Sequence, residues 1–346
     1  MIKHSSLSPM LTRRFLPGAV TVALVALLAV MLMPQARAAS TDNRSDLKNF
    51  QHVFVIMMEN TGLDALIGNP NAPWINSAAQ TYGLATNYFG VTHPSQPNYI
   101  AATSGALNGV LDDNDITVDV PNIVDQLEAH GKSWTAYMQS LSLCNGDLLA
   151  HACGNQLYER KHNPFISYAD VQNNPARTAN IVDYGQLSSD LASNHVSDYV
   201  WISPDQCNDM HGRAATPSDP CDFSQVQSLI ATGDAFLSST VRAIMNSRAW
   251  TGNSVIFITW DESDFTGSGP FGFGDTRGCC DANPGGGNVV TLAISHSDHS
   301  PRTSNVAYNH YSILATIEDG WKLGCLANTC DTANVPPMSD LVGPKG

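Results

Sequence analysis

Val53-Phe54-Val55-Ile56-Met57-Met58-Glu59-Asn60 runs through six apolar residues and then turns, with no spacer, into a carboxylate and an amide. An apolar run of this length without alternation reads as a strand buried on both faces, which is the mark of a parallel sheet covered by helices. Runs of the same kind occupy 198–203, 254–260 and 289–295, and a strand also fits 133–138. Helical patterns fall between them. Pro121 opens one, with Ile123 and Leu127 four apart and Gly131 closing it. Residues 233–248 carry Phe236, Leu237, Val241, Ile244 and Met245 on one face, and a last helix from about His310 stacks Ile313, Ile317 and Trp321. The expected fold is α/β: a mostly parallel central sheet with helices on both faces, binding ligands beyond the carboxyl ends of its strands.

The flanks read differently. Lys3, Arg13 and Arg14 precede an uncharged apolar stretch from Leu16 to Met33, and Ala36-Arg37-Ala38 supplies a small-residue cleavage site. Residues 1–38 are therefore expected to be a signal peptide, 39–50 an exposed lead-in, and 51–346 a single domain. Pro34 and the cleavage site favour removal over retention as an anchor, so no stable membrane span is expected afterwards and the protein is expected to be secreted or periplasmic. Without its four basic residues the chain keeps 13 Lys and Arg against 31 Asp and Glu, a net charge of −18. Such a surface repels polyanions, which argues against nucleic acid as a partner. A small anion is still bound readily where a cation supplies positive charge.

Eight cysteines in an exported chain point to disulfides. Pairs 144–153, 207–221 and 325–330 are plausible; Cys279 and Cys280 then either pair with each other or reshuffle the rest. No C-x-x-C spacing exists, which argues against a zinc ribbon. Gly267–Gly287 holds eight glycines and both adjacent cysteines, so a long loop is expected there.

Polar clusters follow the apolar runs. Glu59-Asn60 ends the first, Asp209 and His211 follow Tyr199–Ser203, and Asp261-Glu262 ends Val255–Trp260. Two adjacent carboxylates directly after a buried strand are hard to explain as surface decoration. Thr92-His93-Pro94-Ser95-Gln96-Pro97-Asn98-Tyr99 places a serine between two prolines. A serine must be activated by a base or a metal, and the Gly-x-Ser-x-Gly elbow is missing. Glu59, Asn60, Asp261 and Glu262 supply hard oxygen donors, so Ser95 reads either as a metal-assisted nucleophile or as the cap of a proline-rich turn.

His52–Asn60, Thr92–Gly105, Asn208–Gly212, Thr259–Asp264 and Asn309–Trp321 together resemble the phosphoesterase family, which contains secreted bacterial acid phosphatases and phospholipases C. The resemblance spans essentially the whole mature chain and implies an alkaline-phosphatase-like α/β fold with a metal-bound Ser or Thr nucleophile. By it, Ser95 is the nucleophile. Glu59, Asn60, Ser95, Asp261 and Glu262 are the metal ligands; Asp209, His211 and His310 fall where related two-metal enzymes place ligands for a second ion, or instead contact phosphate or protonate the leaving oxygen, a role His93 shares. The all-oxygen set favours calcium, magnesium or manganese over zinc. The implied activity is hydrolysis of small-molecule or lipid phosphate monoesters through a phosphoserine. A phospholipase C-type phosphodiesterase and a non-catalytic binding protein are the alternatives. An imidazole near its ordinary pKa would favour activity at mildly acidic to neutral pH.

Overall fold

The computed structural model describes residue 47 and residues 49–193, 195–263, 274–298 and 300–343. The expected signal peptide, most of the lead-in and residues 267–273 of the glycine-rich loop lie outside them. Val53–Met58 is a strand with all six side chains buried. It pairs in parallel with Tyr199–Ser203 on one side and Val255–Trp260 on the other. Across the eight-stranded sheet the order is Arg302–Ser304, Gly83–Ala85, Thr291–Ser295, Val255–Trp260, Val53–Met58, Tyr199–Ser203, Trp134–Met138 and Ile181–Asp183. Thr291–Ser295 runs against both of its neighbours, and every other pairing is parallel. The cause is local: the excursion after Trp260 returns the chain to the same end of the sheet, so Thr291 pairs with Thr259 and the strand must run backwards.

All five strands expected from the sequence form. Within the eight-stranded sheet, the three strands that sequence reading misses are edge or near-edge strands of three residues each, too short to show a pattern. The helices differ from expectation mainly at their starts. Asn122, not Pro121, caps Ile123–Ala129, its side chain accepting from the Val124 amide while Asp125 accepts from the Asn122 amide. The long helix begins at Val226, because Leu229 and Ile230 extend the buried stripe two turns upstream. His310–Trp321 is buried on every side, and its cap Asn309 accepts from the Tyr311 amide at 3.0 Å.

The lead-in is a correction. Of its described residues Asn49 is exposed, but Leu47 and Phe50 are buried. The ring of Phe50 meets that of Trp321 edge-on, and its carbonyl accepts from the Trp321 indole at 2.7 Å. Apolar surface on the last helix recruits the segment.

Ser95–Ser104 ends at Gly105, whose φ of +75° is left-handed. A Cβ there would stand 2.2 Å from the Leu326 carbonyl oxygen. Gly105→Ala is expected to cost about 2 kcal/mol or more, combining the left-handed penalty with a backbone clash. Melting should then fall by roughly 5 °C; an unchanged melting temperature would show that the 326 segment gives way freely.

Candidate active site

Three neighbouring strands deliver the site. Glu59 and Asn60 follow Val53–Met58, Asp261 and Glu262 follow Val255–Trp260, and Asp209 lies six residues beyond Tyr199–Ser203. Backbone bonds hold these ends together. The Glu59 amide donates to the Asp209 carbonyl at 2.9 Å, the Asp261 amide to the Met58 carbonyl at 2.9 Å, and the Asn60 amide to Asp261 Oδ1 at 3.0 Å. Asn60 adopts φ +43°, which swings its side chain out of the strand direction. Glu59, Asp209, Asp261 and Glu262 are all buried.

Ser95 opens a ten-residue helix with its hydroxyl fully buried. The turn before it is pinned by Asn98: Oδ1 accepts from the amides of Val91 and Thr92, and Nδ2 donates to the carbonyls of Thr92 and Pro94. Ser95 Oγ lies 3.1 Å from Glu59 Oε2 and 3.2 Å from Glu262 Oε1. One hydroxyl proton serves one acceptor at a time. Glu59 is the better candidate because it stays ionised. Burial pushes its carboxyl up, but His162, Lys161 and His211 together hold it down at about 2. Glu59 Oε1 also accepts from the Tyr99 hydroxyl at 2.6 Å.

His162 and Lys161 were invisible to sequence reading. They sit in a short turn, Arg160–His162. His162 stacks on Tyr99 with ring centroids 5.3 Å apart, and it stands 3.2 Å from Glu59 Oε1 and 3.5 Å from Asp209 Oδ2. Lys161 Nζ donates to Asp113 Oδ2 at 2.9 Å, and Asp113 Oδ1 accepts from the Gln96 amide. A cation thus reaches the residue after Ser95. Tyr158-Glu159-Arg160-Lys161-His162-Asn163 has no periodicity to distinguish it from a surface loop.

The carboxylates are poorly compensated. Burial, then the charge of Glu59, pushes Asp261 well above the usual range, and burial with Asp261 and Glu59 does the same to Glu262. Buried Asn60 Oδ1 and Asp261 Oδ2 have no hydrogen-bond partner. Among the described residues no three His, Cys, Asp or Glu side chains form a ready-made metal cage. Nevertheless, two orphaned acceptor oxygens beside Glu59, Ser95 and Glu262 are the chemistry a hard divalent cation takes, and a cation would relieve the repulsion. The residues present therefore fit an oxygen-liganded ion.

The histidines are placed less as expected. His310 Nε2 donates to the Asp261 carbonyl at 2.6 Å and its Nδ1 accepts from Tyr88 at 3.1 Å, so both ring nitrogens are used in holding Asp261. His93 is engaged on both sides, by the Glu262 carboxylate and by the Asp275 carbonyl. His211 Nδ1 donates to the Gly212 carbonyl at 2.7 Å, and its amide donates to Asp209 Oδ1. Burial lowers His310 to about 4, and burial with the charge of Lys161 lowers His211 to about 4. The expectation of an imidazolium at mildly acidic pH is therefore corrected: both rings are neutral from pH 5 to 8. NMR titration of the His211 ring should show no midpoint in that range, and a midpoint near 6.5 would contradict this reading of its environment.

All eight cysteines are paired, as 144–153, 207–221, 279–280 and 325–330. Cys207–Cys221 closes the segment carrying Asp209 and His211. Over that segment lies a cavity of about 450 Å³. Ser95 does not line it. Asp113, which accepts from the Gln96 amide, and His211, whose amide donates to Asp209, join its wall to the buried cluster.

A model of the phosphoesterase family matches residues 69–324. The chain is 29% identical over 344 residues to a phosphatidylinositol-3-phosphatase of Mycobacterium tuberculosis, covering 98% of both chains. It is 27% identical over 296 residues to a probable acid phosphatase of Kluyveromyces lactis and 25% over 311 to an acid phosphatase of Aspergillus fumigatus. Those alignments cover 83% and 87% of this chain but 62% of each fungal protein. Among solved structures, a phosphonate monoester hydrolase of Agrobacterium radiobacter superposes with a TM-score of 0.56 at 13% identity, covering 85% of this chain and 78% of that one. An alkaline phosphatase superfamily protein of Vibrio parahaemolyticus gives 0.51 at 13%, covering 82% and 69%. At such identities the likeness establishes the fold, which is alkaline-phosphatase-like.

Proposed function

The chain belongs to the phosphoesterase family, and from that premise we propose that it is an exported, metal-dependent phosphatase that cleaves phosphate monoesters through a phosphoserine at Ser95. The observation that carries this is the placement of Ser95 Oγ between Glu59 Oε2 and Glu262 Oε1 at the amino end of a helix. The positive end of the helix favours negative charge at that hydroxyl and at a phosphoryl group beside it. Ionised Glu59 orients the hydroxyl proton, and Tyr99 and His162 orient Glu59. Ser95 Oγ gives its proton to Glu59 and attacks phosphorus as the bond to the leaving oxygen breaks, that oxygen takes the proton and departs as the alcohol, and water then cleaves the Oγ–phosphorus bond, restoring the serine hydroxyl and releasing phosphate. His310 holds Asp261 and His93 holds Glu262, so both act as positioning residues rather than proton donors.

Alkaline-phosphatase-like enzymes are generally metal-dependent. Here Glu59, Asn60, Ser95, Asp261 and Glu262 would hold a divalent ion, with oxygen donors favouring calcium, magnesium or manganese. When bound, the ion would supply compensation for charge on the phosphoryl oxygens. Four disulfides support an oxidising compartment, and among the described residues no helix is long and apolar enough to cross a membrane. The substrate is a small or lipid-borne phosphoester and not nucleic acid, in keeping with the acidic chain.

Turnover of matched monoester and diester substrates between pH 5 and 8 tests the assignment. Monoesters are expected to have the higher kcat/KM. A tenfold preference for the diester would move the protein to phospholipase C-type chemistry, and absence of turnover on both would leave a binding protein.

A further inference from the structure

Cys279-Cys280-Asp281-Ala282 forms a turn closed by the Ala282 amide, which donates to the Cys279 carbonyl at 2.9 Å. Its two central residues have φ of +60° and +67°, the signs of a type I′ hairpin turn. Such turns favour Asn and Gly, and here the sequence supplies Cys and Asp instead. The disulfide between Cys279 and Cys280 adds the constraint that the residue types lack.

The arms of this hairpin brace the site. They are joined by the Gly285 amide donating to the Thr276 carbonyl and the Gly287 amide to the Arg277 carbonyl. In the turn leading to Ser95, the Gly90 carbonyl accepts from the Gly286 amide and the Gly90 amide donates to the Gly287 carbonyl, both at 2.9 Å. The amide of Ser263, next to Glu262, donates to the Gly286 carbonyl at 2.8 Å. On the other arm the Asp275 carbonyl accepts from His93 Nε2. Asn309 Nδ2 donates to the Cys279 carbonyl at 3.2 Å, and Asn309 caps the helix that carries His310. One hairpin thus touches the nucleophile turn, the end of the strand bearing the carboxylates and the cap of the last helix.

The disulfide at its tip is suited to opening. Both cysteines are partly exposed. Their sequence separation is 1, against 5, 9 and 14 for the other pairs, so this bond restricts the unfolded chain least. Cys280 Sγ lies 3.4 Å from the Ala307 carbonyl oxygen, an acceptor that a thiol can use and a disulfide sulfur cannot.

We propose that Cys279–Cys280 is a site of reversible thiol–disulfide exchange with a small dithiol, and that only its oxidised form holds the brace. A thiolate of the dithiol attacks Cys279 Sγ, since Cys280 packs on the apolar cluster of Val91, Ala101 and Tyr311. The S–S bond breaks and Cys280 leaves as a thiolate, which takes a proton. The second thiol of the reagent then attacks the mixed disulfide and releases Cys279, also protonated. The reagent departs as a cyclic disulfide, having given two electrons and two protons. Without the ring, Cys280 and Asp281 relax out of the left-handed region and the hairpin loosens. The effect on turnover rests on the phosphatase reading; the loosening does not.

Graded dithiothreitol, followed by iodoacetamide and mass mapping, reads which pair opens. Cysteines 279 and 280 are expected to be labelled first. At that point hydrogen exchange at the Gly90 and Gly286 amides should rise by about tenfold or more. Turnover of p-nitrophenyl phosphate should fall by about fivefold or more, and reoxidation should reverse both changes. Cys279→Ser/Cys280→Ser should match the reduced protein and ignore dithiothreitol. Cys279→Ser/Cys280→Asn/Asp281→Gly carries residues the turn favours, so it should regain native exchange and turnover while staying insensitive to the dithiol. Labelling of 279 and 280 only after the other six cysteines, or unchanged exchange once they are labelled, would overturn the proposal. So would native exchange in the double variant, or a triple variant as loose as the double. If the native protein does not hydrolyse p-nitrophenyl phosphate, the phosphatase reading falls and the exchange measurement still decides the brace.

Discussion

Ser95→Ala is expected to lower kcat by about 10³-fold or more while the protein stays folded. The two halves of that statement have separate grounds. Activity should go because the hydroxyl oxygen is the atom that would bond to phosphorus, and it lies within reach of both Glu59 and Glu262. The fold should survive because each carboxylate keeps another partner. Glu59 retains the Tyr99 hydroxyl at 2.6 Å and Glu262 retains His93. The loss is then one hydrogen bond, about 1 kcal/mol. Purified Ser95→Ala should melt close to the native protein and fail to incorporate phosphate from substrate. A variant retaining a tenth of native turnover would show that Ser95 is not the nucleophile.

How much of this site could be read before folding depends on what kind of signal each residue leaves. Glu59, Asp261 and Glu262 were legible because each interrupts a buried strand at its carboxyl end, where an ionisable group has no cheap structural excuse. Ser95 was legible only through its setting, since a serine beside prolines has an equally good reading as a turn. The core strands were legible for the same reason as the carboxylates: their apolar runs do not alternate. His162 and Lys161 left no such trace. Their burial is produced by Tyr99, Glu59 and Asp113, at sequence separations no local pattern spans. The histidines show the opposite failure. His93 and His310 were singled out as reactive groups, yet their rings are spent on Glu262, Asp275, Asp261 and Tyr88. A motif places an imidazole near the chemistry; only the partners of its two nitrogens decide whether it can move a proton.

Removal of divalent metal should abolish activity and also lower the melting temperature, and the second readout follows from the first-strand geometry. Glu59, Asp261 and Glu262 are buried together, and Asn60 Oδ1 and Asp261 Oδ2 lack partners. A protein holding such a cluster without a counter-ion must either repel internally or keep carboxyls protonated against neutral solvent. A cation that binds only the folded state then stabilises it by mass action, about 2.7 kcal/mol at a hundred times its Kd. That corresponds to a rise of roughly 5 °C on titrating calcium, magnesium or manganese into chelator-treated protein. Zinc should restore less, because the donors are all oxygen. Asn60→Ala should weaken the shift by removing one of the two unpaired oxygens. Equal melting temperatures with and without metal, together with full turnover in protein shown to be metal-free, would mean that the carboxylates balance their charge by shared protons and that the proposed chemistry is wrong.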